Sequence, residues 1–344
     1  MTDRPPDDPG SAGAPDADSD TDQRRFHVDG DLVPAGEASV PIRDRGFMYG
    51  DAAFETLRAY GGDVFEWDAH ADRLERTLDT LGFADAAPPR EDLRARLDAT
   101  LDANDLDDAY LKLSVTRGVQ PGKLTPGTEV DPTVCVYVSS LPRGGRDAER
   151  VWDGPATVET VDTRRIPDEA LPADAKTHNY LNGILARLDL RRGATVRASE
   201  GDEVSEGDEV SEGDDDDDGE TASEATADES LMLDPGGAVT EGATSNLCFV
   251  DGGTLKTPDP ATAPLLPGVT RRVVLDLAAD AGIETETGRY EIEAVRRADE
   301  VFLTNTTWEV RPVGSLDGRE FPVGPVTADL RERFDDLVER RHYG

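Results

Sequence analysis

The stretch ADAKTHNYLNGILARL (residues 173–188) sets a lysine directly ahead of a run with helical patterning. Asn179 and Tyr180 are expected to open that helix, with Ile184 and Leu188, four residues apart, keying it into the core. Only four lysines occur in the chain, Lys112, Lys123, Lys176 and Lys256, among 36 basic residues. A lysine near a helix start is ordinarily a solvated side chain. Its scarcity in a chain that prefers arginine is what singles out Lys176.

At 344 residues the chain is long enough to bury a sizeable core, and two lobes are expected. A formal net charge of −38 excludes nucleic acid as a partner, because phosphate binding needs clustered Lys and Arg. The acidic residues also decorate helices such as PREDLRARLDATLDANDLDDAY (residues 89–110), so a tail alone does not account for the charge. Self-repelling surfaces of this kind suit a high-salt cytoplasm. No run reaches the roughly 18–20 apolar residues of a membrane helix, and the N-terminal residues lack the basic start and apolar core of a signal peptide. A cytoplasmic protein with no membrane partner is the expectation. Cys135 and Cys248 lie in apolar, strand-like runs and read as small core residues, not as a disulfide or a metal pair.

Residues 1–24, rich in Pro, Asp and Ser, read as a disordered acidic tail. FHVDGDLVPAG (26–36) reads as a hairpin turning at Asp-Gly. WDAHADRLERTLDTLGF (67–83) carries Leu74, Leu78 and Leu81 at helical spacing, with Asp68 as its N-cap. Strands follow near 109–117 and 132–139, and the loop-like SSLPRGGRDAER (139–150) joins the lobes. The SEGDEV repeat and Asp run place a disordered acidic insertion at 197–228, after a helix ending near DLRRG. It lacks EF-hand spacing, so no metal site is assigned. Further on, NLCFVDGGTLKTP (246–258) reads as a hairpin, PGVTRRVVLDLAADAGI (267–283) as loop then helix, and DEVFLTNTTWEVRPV (299–313) as strand, turn, strand. The order is α+β, with a small N-terminal α/β domain over 25–141 and a larger C-terminal domain over 142–344. Neither GxGxxG nor a P-loop is present, which removes dinucleotide and ATP readings.

The chemistry-bearing pieces fit one site. LLPGVTRRVVL (265–275) offers a helix start that can hold a phosphate, with Gly268 permitting close approach and Thr270 adding a hydroxyl. LTNTTWEV (303–310) adds donors at Asn305, Thr306 and Thr307, and Arg73 adds a fixed positive charge. Taken in order, DRGFMYGDAAFET, HADRL, AKTHNYLNGILA, VTEGATSN, LLPGVTR and LTNTTWEVRPV resemble the class IV pyridoxal-phosphate enzymes over residues 26 to 330. That family includes branched-chain aminotransferases, D-amino-acid aminotransferases and 4-amino-4-deoxychorismate lyases.

The resemblance implies a two-lobed fold type IV enzyme, its C-terminal domain a β-rich pseudo-barrel with helices, working as a homodimer on small-molecule substrates. It implies that pyridoxal 5'-phosphate lies between the lobes, with Lys176 as the catalytic lysine that forms the Schiff base with the cofactor aldehyde. A desolvated cleft with cationic neighbours suits such an amine. Glu241 matches the carboxylate that pairs with the pyridine nitrogen and keeps the ring an electron sink. Arg73, Val269, Thr270 and Thr306 match the phosphate-holding positions, with Asn305 and Tyr180 also bordering the cofactor. Tyr49 and Phe54 match pocket-lining positions.

Among family members, the D-amino-acid enzymes carry an Arg and a His where this chain has Gly122 and Leu124. The branched-chain enzymes carry Tyr-x-Arg where it has Tyr110-Leu111-Lys112. YLKLSVTRGVQPGK (110–123) is most similar to the lyases, with Lys112 and Arg117 implied to meet a dicarboxylate. The expected reaction is therefore release of pyruvate and formation of 4-aminobenzoate, a folate precursor. A branched-chain type L-amino-acid aminotransferase is the alternative.

Overall fold

In the computed structural model, residues 23–201 and 227–344 are described, apart from the side chains of 194–201. The acidic tail and most of the acidic insertion lie outside these residues.

The first sheet is antiparallel. It is built from β1 (Arg25–Val28), β2 (Asp31–Pro34), β3 (Ala52–Tyr60), β4 (Asp63–Val64), β5 (Ala109–Thr116) and β6 (Val134–Ser140), in the order β2-β1-β6-β5-β3-β4. The expected hairpin turns at Asp29 and Gly30, both at positive φ, which glycine adopts without a Cβ clash. Between strands lie α1 (Arg45–Tyr49), α2 (Trp67–Leu81) and α3 (Arg90–Asp102).

Side chains alternate across a strand, and that parity organises this lobe. Leu111, Leu113 and Val115 on β5, and Ala53 and Leu57 on β3, form a core with Leu74, Leu78, Leu93 and Leu97 of the two long helices. The opposite parity brings Phe54 and Thr56, Tyr110 and Lys112, and Tyr137 to the other face, register-paired as Thr56↔Lys112↔Tyr137. Asp68 is not the cap of α2. Glu66 precedes the helix at φ 54, a left-handed conformation that ends the helical geometry there, and Asp68 falls within the first turn.

The second sheet contains β7 (Ala156–Thr160), β8 (Glu229–Leu233), β9 (Val239–Gly242), β10 (Asn246–Asp251), β11 (Thr254–Pro258), β12 (Thr285–Gly288), β13 (Glu300–Asn305), β14 (Glu309–Leu316) and β15 (Arg319–Glu320). Strands β10-β13-β14-β7-β8-β9 run side by side, and β9 pairs again with β10 through Glu241↔Asn246. The ring therefore closes into a barrel, with β11 and β12 extending from β10 and β15 from β14 outside it. Four helices accompany it: α4 (Leu181–Gly201), α5 (Val269–Asp280), α6 (Ile292–Arg297) and α7 (Pro325–Val338). Leu247, Phe249, Val301 and Leu303 fill one cluster with Trp308 and Val295. The alternate residues Cys248, Val250 and Phe302 pack under α5 and α7, joined by Tyr60 and Phe65 from the first lobe.

Two expectations around α4 change. The helix continues to Gly201, past DLRRG and into the stretch read as insertion, while Asp228 is ordered against β7, accepting from Thr157 N at 2.8 Å. Ile184 and Leu188 do not key it into the core: they are 54% and 37% exposed, and Ala186 and Leu190 are buried instead. Among the described residues no helix is long and apolar enough to cross a membrane.

Candidate active site

A cleft of about 600 Å³ opens where the first sheet's Phe54 face meets the barrel seam at Glu241 and the start of α5. Lys176 is held there by its backbone. Its carbonyl accepts from Phe54 N at 2.9 Å, and its N–H donates to Thr77 Oγ1 on α2 at 3.0 Å. His178 N donates to Ala52 O at 3.0 Å, and Thr177 bridges Ala53, so residues 176–178 dock in extended form on β3. The Lys176 ammonium, in a side chain that is nearly buried, donates to Tyr180 Oη at 2.8 Å and lies 4.3 Å from the Phe54 ring centroid.

Across the cleft, Glu241 is fixed by three donors. Oε1 accepts from Arg165 Nε at 2.8 Å, and Oε2 accepts from Leu266 N at 2.9 Å and Asn246 Nδ2 at 3.4 Å. Burial raises its pKa above the usual carboxylate range; Arg165 and the Leu266 amide oppose that shift without cancelling it.

The third component is the start of α5, where Val269 and Thr270 line the cleft. The first amides of a helix have no intrahelical acceptor, so they can receive an anion. A Cβ on Gly268 would stand 2.0 Å from Asn246 Oδ1, which is why a glycine is needed at this N-cap. Arg73 reaches the same place from α2, donating from Nη1 to Pro267 O at 3.1 Å. Two further N–H groups go to Glu55, from Nε to Oε1 at 2.9 Å and from Nη2 to Oε2 at 2.6 Å, which leaves one N–H on each terminal nitrogen. His70 Nδ1 also donates to Glu55 Oε2 at 2.8 Å. Glu55 is fully buried, and burial alone would raise its pKa, but Arg73 and then His70 override it and hold the carboxyl at about 2.

Of the residues expected from sequence, the structure gathers Lys176, Arg73, Glu241, Val269, Thr270, Asn305, Thr306, Tyr180, Phe54, Tyr110 and Lys112 around this one cleft. Asn305 shapes the turn with its amide oxygen, which accepts from the N–H groups of Thr307 and Trp308 at 3.0 and 2.6 Å. Arg117 lies outside. It continues the parity of Leu113 and Val115, so it turns toward α2, where Nε donates to Asp51 at 2.8 Å and the guanidinium stacks 4.5 Å from the Phe83 ring. Tyr49 is also absent from the cleft wall; it ends α1, half-buried, with Arg45 4.9 Å over its ring. Glu55, Arg165, Asn246 and Thr304 were not anticipated. For Glu55 the signal was present, as a carboxylate on the core parity of β3 opposite His70 and Arg73, one helical turn apart.

These residues fit pyridoxal phosphate. An amine, a carboxylate with a raised pKa and an anion cradle share one cleft, and Thr304 Oγ1 on its wall is buried with no hydrogen-bond partner among the described residues. The sequence matches the family described as amino-transferase class IV over residues 52–207 and 218–316, and the chain belongs to that family of pyridoxal-phosphate enzymes. A Methanocaldococcus jannaschii protein with the provisional name branched-chain-amino-acid aminotransferase is 34% identical over 317 residues, covering 91% of this chain and 96% of that protein. The D-alanine aminotransferase of Staphylococcus haemolyticus is 29% identical over 321 residues, 92% of this chain and 99% of that protein. The crystal structure of 4-amino-4-deoxychorismate lyase from Pseudomonas aeruginosa superposes with a TM-score of 0.69 at 30% identity, covering 90% of this chain and 98% of the other.

Proposed function

We propose that the chain is a 4-amino-4-deoxychorismate lyase, and the observation that carries this reading is Lys112. Its ammonium stands on the cleft wall 4.8 Å from the Phe54 ring centroid, with no carboxylate partner among the described residues. Burial, and after it the charge of Lys176, lowers its pKa. Even a half-buried cation without a counter-ion carries a desolvation cost, and an anionic group on a ligand relieves it. Aminodeoxychorismate is a ring bearing two carboxylates, and the walls around Lys112 are the rings of Phe54, Tyr110 and Tyr137. A branched aliphatic side chain would leave the ammonium unpaired.

Pyridoxal phosphate, when bound, supplies an aldehyde for the Lys176 amine and an electron-accepting ring for the substrate carbon. With the cofactor bound, Lys176 would take the proton from the amine-bearing ring carbon and pass it to the departing enolpyruvyl group as the C–O bond at the neighbouring carbon breaks and the ring becomes aromatic, with Tyr180 Oη holding Nζ in place. Glu241 would accept from the pyridine N–H, its rotamer fixed by Arg165 and Leu266. Val269, Thr270 and Thr306 with Arg73, all lining the cleft, would hold the phosphate. Apolar residues also lie exposed on α1 and α4: Phe47 is 72% and Leu181 64% exposed. Asn179 Nδ2 joins the two helices by donating to Gly50 O at 3.1 Å. This exposed apolar surface supports a homodimer in which a second copy of the chain covers it.

The 34% identity to the archaeal relative favours a second reading, an L-amino-acid aminotransferase of branched-chain type using the same lysine. The two separate in one assay. We expect holoenzyme given aminodeoxychorismate and no keto acid to release pyruvate over many turnovers. Absence of pyruvate, together with conversion of the bound cofactor to pyridoxamine phosphate by L-isoleucine, overturns the lyase reading.

A further inference from the structure

His178 has no part in the chemistry derived above, yet it stands in the cleft. Residues 176–178 are extended on β3, and alternate residues of an extended segment share a face, so Lys176 and His178 are set side by side. Both approach the same ring: the His178 imidazole lies edge-on to Phe54 with centroids 5.5 Å apart, and the Lys176 and Lys112 ammoniums lie 4.3 and 4.8 Å from that centroid. Behind the imidazole, Nε2 meets Ser114 Oγ at 3.2 Å. Ser114 is buried, two residues beyond Lys112 on β5 and on the same face. Burial, and then Lys112, hold the His178 pKa at about 4, against a smaller opposing effect of Asp44, so the ring is uncharged at neutral pH.

A neutral histidine sharing one hydrogen bond with a serine keeps one donor to spare. If Ser114 donates, the ring proton sits on Nδ1. If Nε2 donates, the serine O–H is left over. A hydrogen-bond donor beside an unpaired ammonium is a fitting receptor for a carboxylate, which has two oxygens and several lone pairs to satisfy.

We propose that His178 is a specificity-determining residue: with Lys112, and steadied by Ser114, it receives a carboxylate of the substrate remote from the amine that meets the cofactor. This deepens the lyase reading and rests on it for the choice of ligand. One carboxylate oxygen pairs with the Lys112 ammonium and the other accepts from the histidine–serine pair. The cleft thereby distinguishes ring amines that carry a carboxylate from those that do not.

The test uses holoenzyme and two probes, 4-aminobenzoate and aniline, titrated by calorimetry. Wild type is expected to prefer 4-aminobenzoate. A hydrogen bond to a charged group contributes about 1.5–3 kcal/mol, so His178→Leu should weaken 4-aminobenzoate by about 10- to 100-fold and leave aniline within about twofold. His178→Asn, which restores an uncharged donor, should recover most of the preference; a purely structural histidine would show no such split between probes. An undiminished preference in both His178→Leu and Ser114→Ala overturns the proposal, even where pyruvate release shows the lyase reading to hold. Conversely, a His178-dependent preference in an enzyme that releases no pyruvate upholds the subsite and sinks only the lyase reading.

Discussion

Lys176→Ala is expected to lower turnover by at least about 10³-fold and to leave a colourless, folded protein. A positioned acid–base group contributes about 10²–10⁴-fold, and here the same amine also holds the cofactor. The fold should survive because the segment is docked by main chain: Phe54 N, Thr77 Oγ1 and Ala52 O bind the backbone of residues 176–178. What the substitution removes is one hydrogen bond, to Tyr180 Oη, and contact with the Phe54 ring. Circular dichroism and thermal unfolding of the cofactor-free forms should superpose with wild type. Activity within tenfold of wild type would refute the role assigned to Lys176.

The largest stability effect is expected at Glu55. Its carboxylate is fully buried and binds Arg73 through two hydrogen bonds and His70 through a third. Glu55→Gln leaves the Arg73 guanidinium buried and uncompensated, and breaking such a pair costs about 3–5 kcal/mol. Arg73 also ties α2 to Pro267 at the head of α5, so cofactor affinity should fall with stability. The pH dependence has a definite sign. The Glu55 pKa is about 2 in the folded chain, against roughly 4.3 for an unfolded glutamate. The stabilisation is therefore fully present above the unfolded value and is lost as pH falls toward 2. Urea unfolding from pH 7 to pH 3 should show a wild-type loss that Glu55→Gln lacks; parallel curves for the two would contradict this.

The site's local parts were legible in the sequence because each motif carries its own geometry. A glycine before a helix start marks Val269 and Thr270, and a lysine before a patterned run marks Lys176. Long-range pairing was not legible. Arg165 and Glu241 are 76 residues apart and meet only because β7 and β8 run parallel within the closed barrel. Arg117 shows how a motif misleads when parity is ignored. It follows Lys112 by five residues, an odd number, so along an extended chain it reaches the opposite face of the sheet. Leu188 and Ile184 fit a helical period, but periodicity reports a shared stripe, not which partner covers it. On α4 the buried stripe is the one through Ala186 and Leu190.

Two lysines share this cleft, and Lys112 has the burial-lowered pKa that makes an amine nucleophilic. The most direct test is to reduce the pyridoxal-phosphate-loaded protein with borohydride and map the modified peptide. The label is expected on Lys176, in the peptide containing THNYLNGILAR, with Lys112 unmodified. A label on Lys112, or a protein that takes up no pyridoxal phosphate, would refute the assignment of Lys176 as the cofactor's anchor.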